Sequence, residues 1–277
     1  MSQAGSVKLH SEPALSRSSM LVGWSEDAGN LGEEVTEYLN RALRGHEFGE
    51  VDPQSFFPLS GVAVRKDVAR VPESKFFVCP SHAIVIFRSD PPRSEWYGFL
   101  DSVLDVAEHH CHSEQLYILG AMVSFSAHTA PRQLFVVANS AEAKEGLSQY
   151  DLVTDMDYQT PPGQRPTLNS YLLWIAKGRR ISGVSLWIPI PFYLVAAEDP
   201  QAKKKALLFF NDRLNLKMDL SDLDREIQDQ NEKLARARSR STEIDDYIRR
   251  LEGNLMLTDE ENRELIRKIE QALSEEG

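Results

Sequence analysis

Ser19-Met20-Leu21-Val22-Gly23-Trp24-Ser25-Glu26-Asp27-Ala28-Gly29-Asn30 begins as an apolar run, passes two glycines six residues apart, and enters residues 30–43, where apolar positions recur at helical spacing. A strand, a glycine-containing turn and a helix start, in that order, open an α/β unit. Such a helix start presents free backbone N–H groups and the positive end of the helix dipole, so anions and ligands collect there. The spacing matches neither G-x-G-x-x-G nor G-x-x-x-x-G-K-[ST], since no lysine follows Gly29. The turn therefore reads as a tight connection in which Asp27 or Asn30 caps the helix, with ligand contact as the rival role.

Outward from this stretch the same alternation continues. Strands are predicted at residues 62–70, 75–78, 83–87, 115–119, 134–137 and 184–188, and helices at 94–110, 167–177 and 200–214. Short apolar runs such as A-I-V-I-F and L-Y-I-L-G are each followed by turn residues and a helix, the mark of parallel strands buried on both faces. The expectation is an α/β fold: a three-layer α/β/α domain over residues 18–216, with a mostly parallel sheet. Segments 23–30 and 120–132 should then share its carboxyl edge. The serine-rich residues 1–17 are read as a mobile N-terminus.

Residues 217–277 are a different kind of chain, with 11 basic and 17 acidic residues and no proline. Leu220, Leu223, Ile227, Leu234, Ala237, Ile244, Ile248, Leu251 and Leu255 recur in a heptad seam that Gln230 and Ser241 complete. Ser221 with Asp224, and Thr258 with Glu261, look like capping boxes. One long helix, a break near residues 253–258 and a shorter helix are expected. The seam must be covered by other copies as a coiled coil, by the second helix folding back, or by the front domain.

Composition narrows the function. Lys and Arg number 31 against 42 Asp and Glu, a net charge of −11, which argues against nucleic acid or an anionic membrane surface as partner. No apolar run approaches the ~20 residues of a membrane helix, and no secretory signal is recognised. Two cysteines, Cys79 and Cys111, are too few for a disulfide framework, so a cytoplasmic setting is expected.

Chemistry-bearing residues are sparse. After Leu119 comes G-A-M-V-S-F-S-A-H-T-A-P-R, in which His128, Thr129 and Arg132 beyond a strand end are candidates for an anion pocket or acid–base work. No G-x-S-x-G elbow accompanies the serines, and ordering of the loop is the competing role. In His109-His110-Cys111-His112 only His109 and His112 share a helix face, so no metal is expected. Trp96 is expected to face the core, residues 158–166 to form a rigid proline-rich loop, and Lys203 to Lys205 to lie on a solvated face. Leu186-Trp187-Ile188-Pro189-Ile190-Pro191-Phe192-Tyr193 reads as a strand ended by prolines, its aromatics in the core or at an oligomer contact.

Taken in order, G-W-S-E-D-A-G-N, D-P-P with Trp96 and Phe99, L-G-A with H-T-A-P-R, the Tyr158 loop and L-W-I-P-I-P-F-Y resemble the proteasome assembly chaperone 2 family over about residues 20–214. The resemblance implies a phosphorylase/hydrolase-like α/β/α domain with, in the bacterial branch, an α-helical C-terminal extension. It also implies a non-enzymatic role in protein assembly, a homo-oligomer with a trimer favoured, a protein client and no cofactor. Some relatives dock on the proteasome through a C-terminal hydrophobic-Tyr-X signature; Ser274-Glu275-Glu276-Gly277 departs from it, and direct docking is not expected. Two alternatives share one crevice: a phosphorylase- or hydrolase-like enzyme using Asp27, Asn30, His128 and Arg132, or a binding protein for a nucleotide or anion.

Overall fold

The computed structural model describes residues 7–57, 63–65 and 67–274. Its front part runs β1 (Val7–Leu9), β2 (Ser18–Trp24), α1 (Leu31–Ala42), β3 (His46–Val51), β4 (Ala63–Arg65), β5 (Val68–Arg70), β6 (Ser74–Cys79), β7 (Ile84–Ser89) and α2 (Trp96–Asp105). There follow β8 (Ser113–Ser124), β9 (Phe135–Ala138), α3 (Ala141–Glu145), α4 (Leu168–Gly178), β10 (Ser182–Pro191), α5 (Pro200–Arg213), α6 (Asp222–Arg240), α7 (Thr242–Glu252) and α8 (Asp259–Ser274).

Eight strands form one sheet in the order β1-β3-β6-β7-β2-β8-β10-β9, with helices on both sides. β2 pairs in parallel with β7 and β8, as expected of the buried apolar runs. The sheet is nevertheless mixed rather than mostly parallel, because β6 runs antiparallel to both β7 and β3, and β3 antiparallel to β1. The link from β6 to β7 explains this. It is a short turn, Pro80–His82 followed by Ala83 in the left-handed region, and a parallel crossover needs a dozen or more residues. The strand expected over 62–70 is instead a hairpin, β4 against β5, in a separate two-stranded sheet; residues 62 and 66 lie outside the described residues. The mobile terminus expected over 1–17 falls partly on residues 1–6, also outside them; residues 7–9 form edge strand β1.

The chain divides into two compact units, and the division passes through β8 and β10. The first comprises residues 1–26, 32–120 and 135–186. On one face of β2, Met20, Val22 and Trp24 join a core with Phe87, Phe99 and Leu172. On the other, α1 crosses so closely that a Cβ on Gly23 would stand 2.3 Å from the Gly32 carbonyl oxygen. Gly23 is therefore a packing glycine. Asn169 ties α4 to three strands: its carbonyl accepts from the Trp24 indole at 2.7 Å and its amide donates to the Leu119 carbonyl and the Ser185 hydroxyl. Every polar group of this buried link is satisfied. Trp96 does not enter the core as expected. It is half-buried, its indole N–H bound to the Pro92 carbonyl at 2.8 Å, and Phe99 one turn on is the fully buried residue.

The second unit comprises residues 27–31, 121–134 and 187–277. Its C-terminal helices differ from expectation at Ser241, which is extended (φ −134°, ψ 113°) and splits the long helix into α6 and α7. The Ser241 hydroxyl accepts from the Ile244 N–H at 3.3 Å and so starts the new helix. Gln230, the other polar residue in the seam, donates to the Glu198 carbonyl at 2.7 Å. Leu223, Leu234 and Ile248 of the seam are fully buried, as are Leu265 and Ile269 of α8, which packs on α6 and α7. Most of the apolar stripe is covered within the chain, by α8 folding back and by α5 against α6, while Leu255 at its end is 59 % exposed. Thr258 and Glu261 form the reciprocal capping box, with N–H to side-chain distances of 2.7 and 3.3 Å. Ser221 does not cap α6 through its side chain. Lys203 is buried rather than solvated, its ammonium 3.1 Å from Glu226, because α6 packs on α5.

Candidate functional site

All five candidate residues belong to the second unit. Since β2 and β8 run parallel, the loops after them leave the sheet at one edge. In the first loop Ala28–Asn30 form a single 3-10 turn in which Gly29 and Asn30 both adopt the left-handed region, φ 66° and 51°. The Gly29 N–H donates to the Val195 carbonyl at 2.9 Å, and a Cβ there would meet the Ala197 carbonyl at 3.2 Å. That amide is spent on the protein itself rather than offered to a phosphate. Asp27 makes no side-chain cap of the turn; Asn30 is exposed.

The second loop is anchored by two residues of the segment after β10. Tyr193, 2 % exposed, accepts from the His128 backbone N–H at 2.6 Å and lies 2.8 Å from Nδ1 of the same residue. The phenol oxygen thus meets both the backbone and the ring of His128 and fixes the orientation of the imidazole. Burial, reinforced by the guanidinium groups of Arg238 and Arg132, lowers the His128 pKa to about 4. The ring is neutral at pH 7. Arg132 donates through Nε to Asp199 at 2.8 Å and through Nη1 to the carbonyls of Ala130 and His128. Its Nη2 is 2.8 Å from the same carboxylate oxygen, and both side chains are buried. The other oxygen of Asp199 accepts from the Ala202 N–H at 3.0 Å, capping α5.

Thr129 is the exposed member of the group. Its hydroxyl donates to Glu252 at the end of α7 at 3.1 Å, and Arg238 of α6 holds that carboxylate at 2.8 Å. The Arg238 hydrogen bond, opposed by burial and helped by Thr129, lowers the pKa of Glu252. The structure thus brings His128, Thr129 and Arg132 into one network, built on Tyr193, Glu252 and Asp199. What this network does chemically is order a loop: a neutral imidazole, a paired guanidinium, a capped helix and a hydroxyl tied to a carboxylate that Arg238 holds.

Sequence reasoning missed Tyr193, Asp199, Arg238 and Glu252. Asp199 before Pro200 was legible as a helix cap; the other three carry no local signal. A second missed feature lies in the first unit, where Tyr171 and Trp174 of α4 stack at 5.4 Å and Trp174 is 61 % exposed. Tyr97 and Tyr158 are exposed too. The cysteines are separate and inert: burial raises the Cys79 thiol to about 11, and burial with the Glu12 charge raises Cys111 to about 12. Among the described residues no three His, Cys, Asp or Glu side chains gather as a metal set, and no helix is long and apolar enough to cross a membrane.

Comparison with known proteins follows the same lines. The PAC2 family model matches residues 20–238. No curated protein matches the chain. Among solved structures, a protein of unknown function from Corynebacterium glutamicum is similar with a TM-score of 0.76 at 20 % identity, covering 90 % of this chain and 96 % of that one. A proteasome-assembly chaperone homologue from Mycobacterium tuberculosis gives 0.68 at 20 % identity, covering 83 % and 99 %. An archaeal proteasome activator from Pyrococcus furiosus gives 0.67 at 19 % identity, covering 84 % and 98 %.

Proposed function

Because the chain belongs to the PAC2 family, we propose that it is a non-enzymatic protein-assembly or interaction protein, related to the proteasome assembly chaperones and working as a cytoplasmic homo-oligomer, a trimer, on a protein client. The α/β domain over residues 18–216 supplies the contact surface and residues 217–277 form its helical extension. The observation that carries this reading is the commitment of His128 and Arg132 to Tyr193 and Asp199 in a network that orders the loop after β8. The exposed Trp174, stacked on Tyr171 next to Trp96, favours contact with protein.

Light scattering on the full chain tests the assembly state. A particle of about three times 31.3 kDa at micromolar concentration is expected, and a monomer overturns the oligomer. Turnover of nucleosides or esters that disappears in His128→Ala would replace this reading with the enzymatic one. In the proposed role the variant has no turnover to lose.

A further inference from the structure

The C-terminal helices form an open groove of about 310 Å³ lined by Lys233 and Arg240 from α6 and Arg267 and Lys268 from α8, together with the buried Ala237 and Ile244; Arg240 and Arg267 are exposed at its rim. None of its lining residues is acidic. This is an unexpected distribution. The segment from residue 217 on holds 17 acidic residues against 11 basic ones, yet four of the basic residues converge on one small groove. Lys268 is held by Glu243 and Glu264, whereas Lys233 and Arg267 have no ion pair among the described residues.

Like charges brought together cost energy unless something offsets them: Glu243 and Glu264 offset Lys268, while Lys233 and Arg267 have no carboxylate within ion-pair distance among the described residues. Arg250 takes Glu261, and Arg238 takes Glu252 and Asp245. We infer that the groove between α6, α7 and α8 is a binding site for a small, multiply charged phosphoanion such as a diphosphate group. Its volume lies at the small end of ligand pockets, which excludes large ligands. A monocarboxylate offers two acceptor oxygens to four cations. A diphosphate offers several, carries more than one charge at neutral pH, and suits the planar fork of two arginines. The site is apart from the His128 network and independent of the assembly role.

Isothermal titration of the full-length protein with sodium pyrophosphate, at low and at physiological ionic strength, tests the site, with citrate as the carboxylate arm. Expected are one pyrophosphate per chain, an affinity that falls as salt rises, weaker citrate binding, and at least about tenfold weaker pyrophosphate binding in Arg240→Gln/Arg267→Gln. Lys233→Gln, a single change at a residue without an ion pair, should weaken binding several-fold and covers the case in which the double variant does not fold. Absence of pyrophosphate binding at low salt overturns the inference. So does binding unchanged in Lys233→Gln and in a folded double variant, and citrate binding as tight as pyrophosphate overturns the phosphoanion class.

Discussion

Arg132 and Asp199, 67 residues apart in sequence, form a buried ion pair in which two guanidinium nitrogens lie 2.8 Å from one carboxylate oxygen. The pair couples the loop after β8 to the N-terminus of α5, since the second oxygen of Asp199 caps that helix. Arg132→Met should therefore destabilise the protein by about 3–5 kcal/mol, because it leaves a buried carboxylate unpaired. Denaturant unfolding of Arg132→Met, Asp199→Asn and the double variant measures this. The double variant should lose less than the sum of the two single losses.

His128 should make stability depend on pH. Its folded pKa of about 4 lies below the ordinary 6.5, so the unfolded chain binds the proton more readily. The contribution is complete above pH 6.5 and is lost as pH falls from 6.5 to 4, up to about 3 kcal/mol at 1.36 kcal/mol per pKa unit. The groups that face the ring are Tyr193, Arg132, Arg238 and Glu252, and Glu252 alone opposes the lowering. Urea midpoints at pH 7 and pH 4.5 should separate more in the wild type than in His128→Gln.

Gly23→Ala should abolish folding or cost several kcal/mol, since the new methyl would collide with backbone at 2.3 Å. Gly178→Ala is the contrasting case: nothing lies within 4 Å of its Cβ position, and the change should be neutral or stabilising by up to about 1 kcal/mol. Thermal melts of the two variants give the comparison.

Ser241→Ala removes the hydroxyl that starts α7 and should cost about 1 kcal/mol. Ser239→Ala should cost less, since the hydroxyl of that exposed residue only returns to the Arg236 carbonyl of its own helix. Urea unfolding of both variants measures the difference.

The parallel centre of the sheet was legible because 19–24, 83–87 and 115–119 are continuous apolar runs. β3 was not, because in His-Glu-Phe-Gly-Glu-Val only Phe48, Gly49 and Val51 are buried and the rest reads as loop. The heptad pattern located the apolar face at Leu223, Leu234, Ile248 and Leu251, though not at the exposed Leu255, and could not show what covers it. A small polar residue in a seam looks alike whether it faces a partner or ends a helix, and Ser241 ends one. In the site, His128 and Arg132 stood out as residue types, while their partners Tyr193 and Asp199 lie 65 and 67 residues further on. Local spacing holds no information about contacts of that range.

The second unit is assembled from three separated stretches, 27–31, 121–134 and 187–277, which makes the order of synthesis part of its folding. Gly29 and Arg132 leave the ribosome before Val195 and Asp199 exist. At roughly 5–20 residues per second, Arg132 waits several seconds for its carboxylate. During that interval the nascent chain displays a naked guanidinium and the uncovered ring of His128. A pause in translation before residue 199 would lengthen that interval.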